Sequence, residues 1–179
     1  MNDKNNLNQK LIHAKTANET AHWLAAGADV NANDVLFRNA LMYAETPEQT
    51  KLLIDAGVNV NARDISDKTA LMYAKTPEQT KLLIDAGADV NARDRLGVTV
   101  LMYAKNAEQT KVLIEAGADV NARDDFGKTV LMYAQTPEQK KLLSNAMKNV
   151  HTETKATLEQ KQKNTFIKSI TTKLLQKSH

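Results

Sequence analysis

The sequence predicts an all-α solenoid of about five stacked helix-turn-helix units with a C-terminal helical tail. Three observations lead there. The stretch LMYAKTPEQTKLLIDAGADVNARD, residues 71–94, returns every thirty residues, matching at 21 of 24 positions from Leu41 and at 20 of 24 from Leu101. Helix start signals recur at fixed offsets in the copies, and a stop glycine recurs in the first four. Polar residues enter core positions only in the outermost copy. A fixed period of this size marks stacked units, each burying its apolar face against its neighbours alone. A fourth copy opens at Leu131 and drifts after LMYAQTPEQKKLL, and LIHAKTANETAHWLAAGADVNAND from Leu11 is a worn fifth. Units starting near Leu11, Leu41, Leu71, Leu101 and Leu131 assign residues 1–150 to the array, leaving 151–179 as a basic C-terminal helical tail.

Each element of the unit has a local cause. In TPEQ (76–79), the Thr76 hydroxyl caps a helix, Pro77 suits its first position and Gln79 reaches back to complete a capping box. That helix places Leu82, Leu83 and Ala86 on its buried side. It stops at Gly87, where a left-handed residue costs little. Glu78, Lys81 and Asp85 fall on its exposed side. Upstream, TALMYAK (69–75) predicts a first helix of barely two turns with Leu71 and Ala74 inward, too short to stand without packing. ADVNARD reads as an extended loop or hairpin leading into the next unit.

GADVNARDRLGVTVLMYA (87–104) and GADVNARDDFGKTVLMYA (117–134) resemble ankyrin repeats, whose pattern runs D-x-x-G-x-T-P-L-H-x-A through two helices to L-L-x-x-G-A-D-V-N-A. The resemblance covers roughly residues 7–147 and implies an ankyrin fold and recognition of protein partners. Three departures stand out. The family unit has about 33 residues, and the three missing here fall at Lys75–Thr76, trimming the first helix. TALM or TVLM replaces TPLH, so Met72, Met102 and Met132 stand where the family has a turn-bracing His. The hairpin glycine is absent from the first two hairpins (Phe37, Asp67) and present in the last two (Gly97, Gly127).

The ends differ from the middle. His22 and His13 replace a core aliphatic and a tyrosine in the first copy, which marks it as the N-terminal cap. Trp23 takes the place of Leu53 and is expected to pack inward. Met147 replaces the stop glycine of the last copy, so that helix is expected to run on.

Several classes of function find no support. The chain has no cysteine and four His, all in the two ends, with no carboxylate or serine at a useful spacing. No catalytic residue, metal ligand, cofactor or small-molecule substrate is therefore expected. The Asp and Asn of ADVNARD do not place the glycine and glutamate of a calcium loop and read as structural. The Met-Tyr pair of LMYA reads as packing between repeats. MNDKNNLNQK has no apolar core for a cleavable signal, and no segment approaches the ~18 apolar residues a membrane helix needs. A cytoplasmic monomer is the expectation, with signal-independent secretion left open.

Function is expected where the copies disagree. They disagree in VLFRNA (35–40), ISDKTA (65–70), RLGVTV (95–100) and DFGKTV (125–130). The resemblance places this window at the hairpin tips, along the concave edge where partners bind. Three rows result. Val35, Ile65, Arg95 and Asp125 form the first, Leu36, Ser66, Leu96 and Phe126 the second, and Arg38, Lys68, Val98 and Lys128 the third. In the second row Leu96 and Phe126 are weighed toward internal packing before a tip glycine. In the third, Arg38, Lys68 and Lys128, like Arg95, read equally as solvated charge.

Charge divides the chain. Residues 1–139 carry 15 Lys/Arg and 19 Asp/Glu (−4), whereas residues 140–179 carry nine Lys and two Glu (+7). In the tail, Phe166, Ile167, Ile170, Leu174 and Leu175 fall at helical spacing with Lys168, Lys173 and Lys177 around them. That pattern suits a terminal helix covering the last repeat, or an amphipathic segment for a partner groove or an acidic surface. The leading expectation is a non-enzymatic module that binds a protein through its tips and concave face, as inhibitor or scaffold. The alternatives are a host-directed bacterial effector and a nucleic-acid or anionic-membrane binder acting through the tail.

Overall fold

The computed structural model describes residues 2–150 together with Thr152 and Gln160. The tail pattern of Phe166 to Lys177 lies outside them. Residues 1–143 form one compact unit, built from a repeated pair of helices. The elements are α1 (Asn2–Ile12), α2 (Ala17–Ala25), α3 (Ala40–Tyr43), α4 (Pro47–Asp55), α5 (Ala70–Tyr73), α6 (Pro77–Asp85), a 3-10 turn (Val100–Tyr103), α7 (Ala107–Glu115) and α8 (Val130–Tyr133). A last helix, α9, covers 137–150. Among the described residues the only β pairing is three isolated antiparallel bridges, Asn33–Asn39, Arg93–Thr99 and Arg123–Thr129, which close hairpins.

The outer helices form as the sequence predicts at their ends. Thr46, Thr76 and Asn106 hold extended backbone and accept a hydrogen bond from the N–H three residues on. Gly57, Gly87 and Gly117 follow the C-caps at φ of +83° to +89°, the left-handed region a glycine enters freely. Where Met147 stands instead, α9 continues through residue 150.

The inner helices are shorter than predicted. In units two to five each is a single turn of four residues, and that of unit four is 3-10. Ala74, at φ −53° and ψ 132°, leaves the helical region at once, so the trimmed residues are lost from the helix itself. Packing holds these turns in place: Leu41, Leu71 and Leu101 are 3% exposed, and Met42, Met72 and Met102 are equally enclosed. A fully buried Leu or Met contributes about 1.5–3 kcal/mol.

The buried side of the outer helix also differs from the prediction. Leu83 is buried, but Leu82 and Ala86 are half-buried. Their expected places are taken by polar residues, Gln79 and Thr80, at 2% and 1% exposure. Gln79 does not close the expected capping box on Thr76. Its Oε1 accepts the Lys75 N–H (3.0 Å), one residue before the N-cap. Its Nε2 donates to the Ala44 carbonyl (3.2 Å) and to Thr50 Oγ1 (3.1 Å) of the preceding unit. Thr50 in turn donates to the Thr46 carbonyl (3.0 Å). Gln49, Gln109 and Gln139 repeat the arrangement with Ala14 and Thr20, Ala74 and Thr80, and Ala104 and Thr110. A polar ladder therefore runs through the core, with each buried amide satisfied across a unit boundary.

The N-terminus adds an element the sequence reading did not contain. MNDKNNLNQK is too polar to show periodicity, yet α1 runs through it, and Asn8 Oδ1 accepts the Asp29 N–H at 2.8 Å. Trp23 is half-buried rather than inward-packed, with the Lys10 ammonium 4.6 Å from its ring and His22 edge-on against it. His13 is exposed and meets Tyr43 edge-on.

Candidate functional site

The hairpins are built on one aspartate each. Asp64, only 4% exposed, accepts the N–H groups of Ser66 (2.8 Å) and Lys68 (3.0 Å) on Oδ1. Its Oδ2 accepts the Tyr73 hydroxyl at 2.6 Å and faces Arg38 Nε of the preceding unit at 3.3 Å. Asp34 with Tyr43, Asp94 with Tyr103, and Asp124 with Tyr133 repeat the tyrosine bond at 2.6–2.7 Å. Burial pushes the Asp64 carboxyl up. The Tyr73 hydroxyl, the two N–H groups and Arg38 outweigh it and hold Asp64 below the usual carboxylate range. Asp34 is lowered in the same way. Tyr73 is pushed up to about 12 by burial and by its bond to Asp64. The tyrosine of LMYA is thus a hairpin brace more than an apolar contact, while its methionine partner is buried in units two to four.

The Asp/Asn loop is structural across unit boundaries. Asn61 Nδ2 donates to the Gly87 carbonyl (3.0 Å) and its Oδ1 accepts the Asp89 N–H (2.9 Å). Asn91 repeats both bonds with Gly117 and Asp119.

Successive tips are joined by backbone hydrogen bonds. The N–H groups of Ile65, Arg95 and Asp125 donate to the carbonyls of Leu36, Ser66 and Leu96 at 2.9–3.0 Å. The first and second predicted rows are thereby brought to one edge. In the first row Val35 is 92% exposed, Ile65 41%, and Arg95 and Asp125 are also exposed. Arg95 Nε lies 3.6 Å from Asp67 Oδ2 in a solvent-exposed pair, which contributes little to stability. In the second row Leu36 and Ser66 are half-buried, but Leu96 and Phe126 are 52% and 70% exposed. The internal packing weighed for these two is corrected: the glycine after each turns the chain without tucking the preceding side chain inward.

The third row breaks up. Val98 is 7% exposed and belongs to the core, because an aliphatic side chain at this position gains by burial where the charged ones cannot. Arg38 and Lys68 are half-buried over tyrosine rings, Arg38 between Tyr43 and Tyr73 (5.8 and 5.2 Å) and Lys68 between Tyr73 and Tyr103 (5.9 and 4.8 Å). Only Lys128 is exposed in this row.

Phe37 is a tip residue the sequence reading passed over. It is 60% exposed and holds φ +59°, in the place where Gly97 and Gly127 sit at +72° and +77°. A bulky side chain in this region costs about 1–2 kcal/mol. The available signal was the missing glycine itself. Phe37→Gly is expected to raise stability by about 1 kcal/mol, read as a higher thermal midpoint, while removing an exposed aromatic from the tip edge.

Among the described residues no group of three or more His, Cys, Asp or Glu is arranged to hold a metal ion, and no helix is long and apolar enough to cross a membrane. What remains is a repeat scaffold presenting a row of variable hairpin tips. A family model described as ankyrin repeats (3 copies) matches residues 11–94 and again residues 75–153. The chain belongs to the ankyrin-repeat family, whose members are generally protein–protein interaction modules. No curated protein compared with the chain matches it.

Proposed function

We propose that this chain is a non-enzymatic binding module that captures a protein partner on its hairpin tips and the tyrosine-lined face beside them. One observation carries the reading. Of the seven large apolar residues exposed among the described ones, five (Val35, Phe37, Ile65, Leu96 and Phe126) lie on the tip edge. Scattered exposed apolar residues mean little, but a contiguous row on a hydrogen-bonded edge has the character of an interface core. The scaffold is held by the buried ladder, so docking orders little new structure.

The test compares two surfaces. Changing Ile65, Arg95 and Asp125 together to serine is expected to alter stability by about 0.5 kcal/mol or less per site, as surface changes usually do. Partner capture should fall by more than about tenfold if one of the three is a hot spot. Changing Glu78, Lys81 and Asp85 on the outer helix should leave capture intact. Loss of capture from the outer-helix set alone would move the interface to the opposite face.

A further inference from the structure

We propose that the partner element is an acidic amphipathic α-helix lying along the tip row; the inference rests on the binding reading above and adds the chemistry of what binds. Spacing makes the first argument. Outer helices of adjacent units pack side by side, and packed helices lie 8–10 Å apart, so tips joined one to the next recur at about 10 Å. An α-helix advances 1.5 Å per residue and returns the same face after two turns, about 10.5 Å. One apolar residue every seventh position then meets each tip in turn, against Val35 and Phe37, Ile65, Leu96 and Phe126. An extended strand covers the same 10 Å in three residues. Its side chains alternate, so successive tips would meet opposite faces of the strand. The tip row repeats its apolar character on one edge, which suits the helix.

Charge makes the second argument. Positions 35–38, 65–68, 95–98 and 125–128 carry four cations, Arg38, Lys68, Arg95 and Lys128, against two carboxylates, Asp67 and Asp125. Residues 1–139 as a whole carry a net −4, so this edge is positive on a negative body. Asp67 is paired with Arg95 and Arg38 with Asp64, which leaves Lys68 and Lys128 as the row's cations outside an ion pair among the described residues. Lys68 and Lys128 flank the apolar row where acidic side chains of a docked helix would sit. Glu78, Asp85, Glu108 and Glu115 line a shallow cleft between α6 and α7, so an acidic partner is also steered away from the outer helices. A polyanionic nucleic acid fits less well, because three of the row's five exposed apolar residues are aliphatic, with no face for a base to stack on.

The experiment uses the full chain and a synthetic helical peptide of about 22 residues, long enough to span the four tips. The peptide carries leucine along one face and glutamate on its flanks. Fluorescence anisotropy compares it with a lysine-flanked version, a version broken by a central proline, and a single-stranded oligouridylate. The glutamate helix is expected to bind in the micromolar range. Binding should weaken about tenfold or more on Phe37→Ser with Phe126→Ser, and again on Lys68→Glu with Lys128→Glu. The proline version and the lysine version should bind at least tenfold more weakly. Circular dichroism and thermal melts confirm that the variants fold. No binding by the glutamate helix, equal or tighter binding of its lysine or proline counterpart, or tighter tip-dependent binding of the oligonucleotide overturns the acidic-helix proposal. The tip interface survives those outcomes if the serine triple still loses partner capture. Binding of the glutamate helix that ignores the tip changes overturns both readings.

Discussion

Replacing Gln79 by alanine is expected to lower stability by about 4 kcal/mol. The substitution leaves two buried groups, the Ala44 carbonyl and one bond of the Thr50 hydroxyl, and the part-buried Lys75 N–H without their partner. An unsatisfied buried polar group costs about 1–3 kcal/mol. A domain of this size is stable by only about 5–15 kcal/mol, so the loss is a large fraction of the whole. Gln79→Leu separates hydrogen bonding from volume. It fills the same space and strands the same three groups, and it should therefore fall nearly as far. Thr76→Ala, which removes only the cap, should cost about 1 kcal/mol. Thermal and denaturant melts of the three variants check the order. A Gln79 variant that melts with Thr76→Ala would reduce the ladder to an ordinary cap.

The second large effect belongs to Asp64. Asp64→Ala leaves two backbone N–H groups and the Tyr73 hydroxyl unanswered and Arg38 without its carboxylate. Each stranded polar group costs about 1–3 kcal/mol, so the loss is expected to be about 3 kcal/mol or more. Tyr73→Phe removes one bond only and should cost about 1 kcal/mol. The same site sets a pH window. Asp34, Asp64 and Asp124 are held below their ordinary values in the fold, so the unfolded chain binds more protons. Their stabilisation is full above about pH 5 and is lost as pH falls below the ordinary carboxylate range of about 4. The tyrosines act at the other end. Tyr73 and Tyr133 are pushed up to about 12, so their contribution is full below about pH 10 and is lost as pH rises toward 12. Stability against pH should show a plateau between these limits, and Tyr73→Phe should soften its alkaline edge. A wild-type profile that stays flat through both limits would contradict the aspartate–tyrosine account.

How much of this was legible in the sequence varies residue by residue. The period, the Thr and Asn caps, the stop glycines and the inner leucines were readable because each depends on neighbours in the chain. The ladder was not, because a capping box already explained why glutamine follows Thr-Pro-Glu. Nothing local says that its amide reaches a carbonyl 35 residues earlier. A signal did exist at the ends. The first unit has Glu19, a carboxylate with no proton to give an earlier carbonyl, where the others have glutamine. The last has the exposed Lys140 where the others have a buried threonine, which only a following glutamine would use. Each end drops the half of the ladder that has no neighbour.

At the tips, sequence disagreement located the variable window but could not sort it. Val98 and Lys128 share one register position, yet one is buried and the other exposed. Leu96 and Phe126 needed the geometry of the turn before their exposure could be seen.

The most direct test of the interface fixes a photo-reactive group at one position at a time. A benzophenone side chain at position 37, 96 or 126 is compared with one at position 48, 81 or 111 on the outer helices, in cells that make the protein. The account predicts a covalent adduct with one and the same partner from the tip positions and none from the outer-helix positions. Adducts from positions 48, 81 and 111 with none from the tips would contradict it.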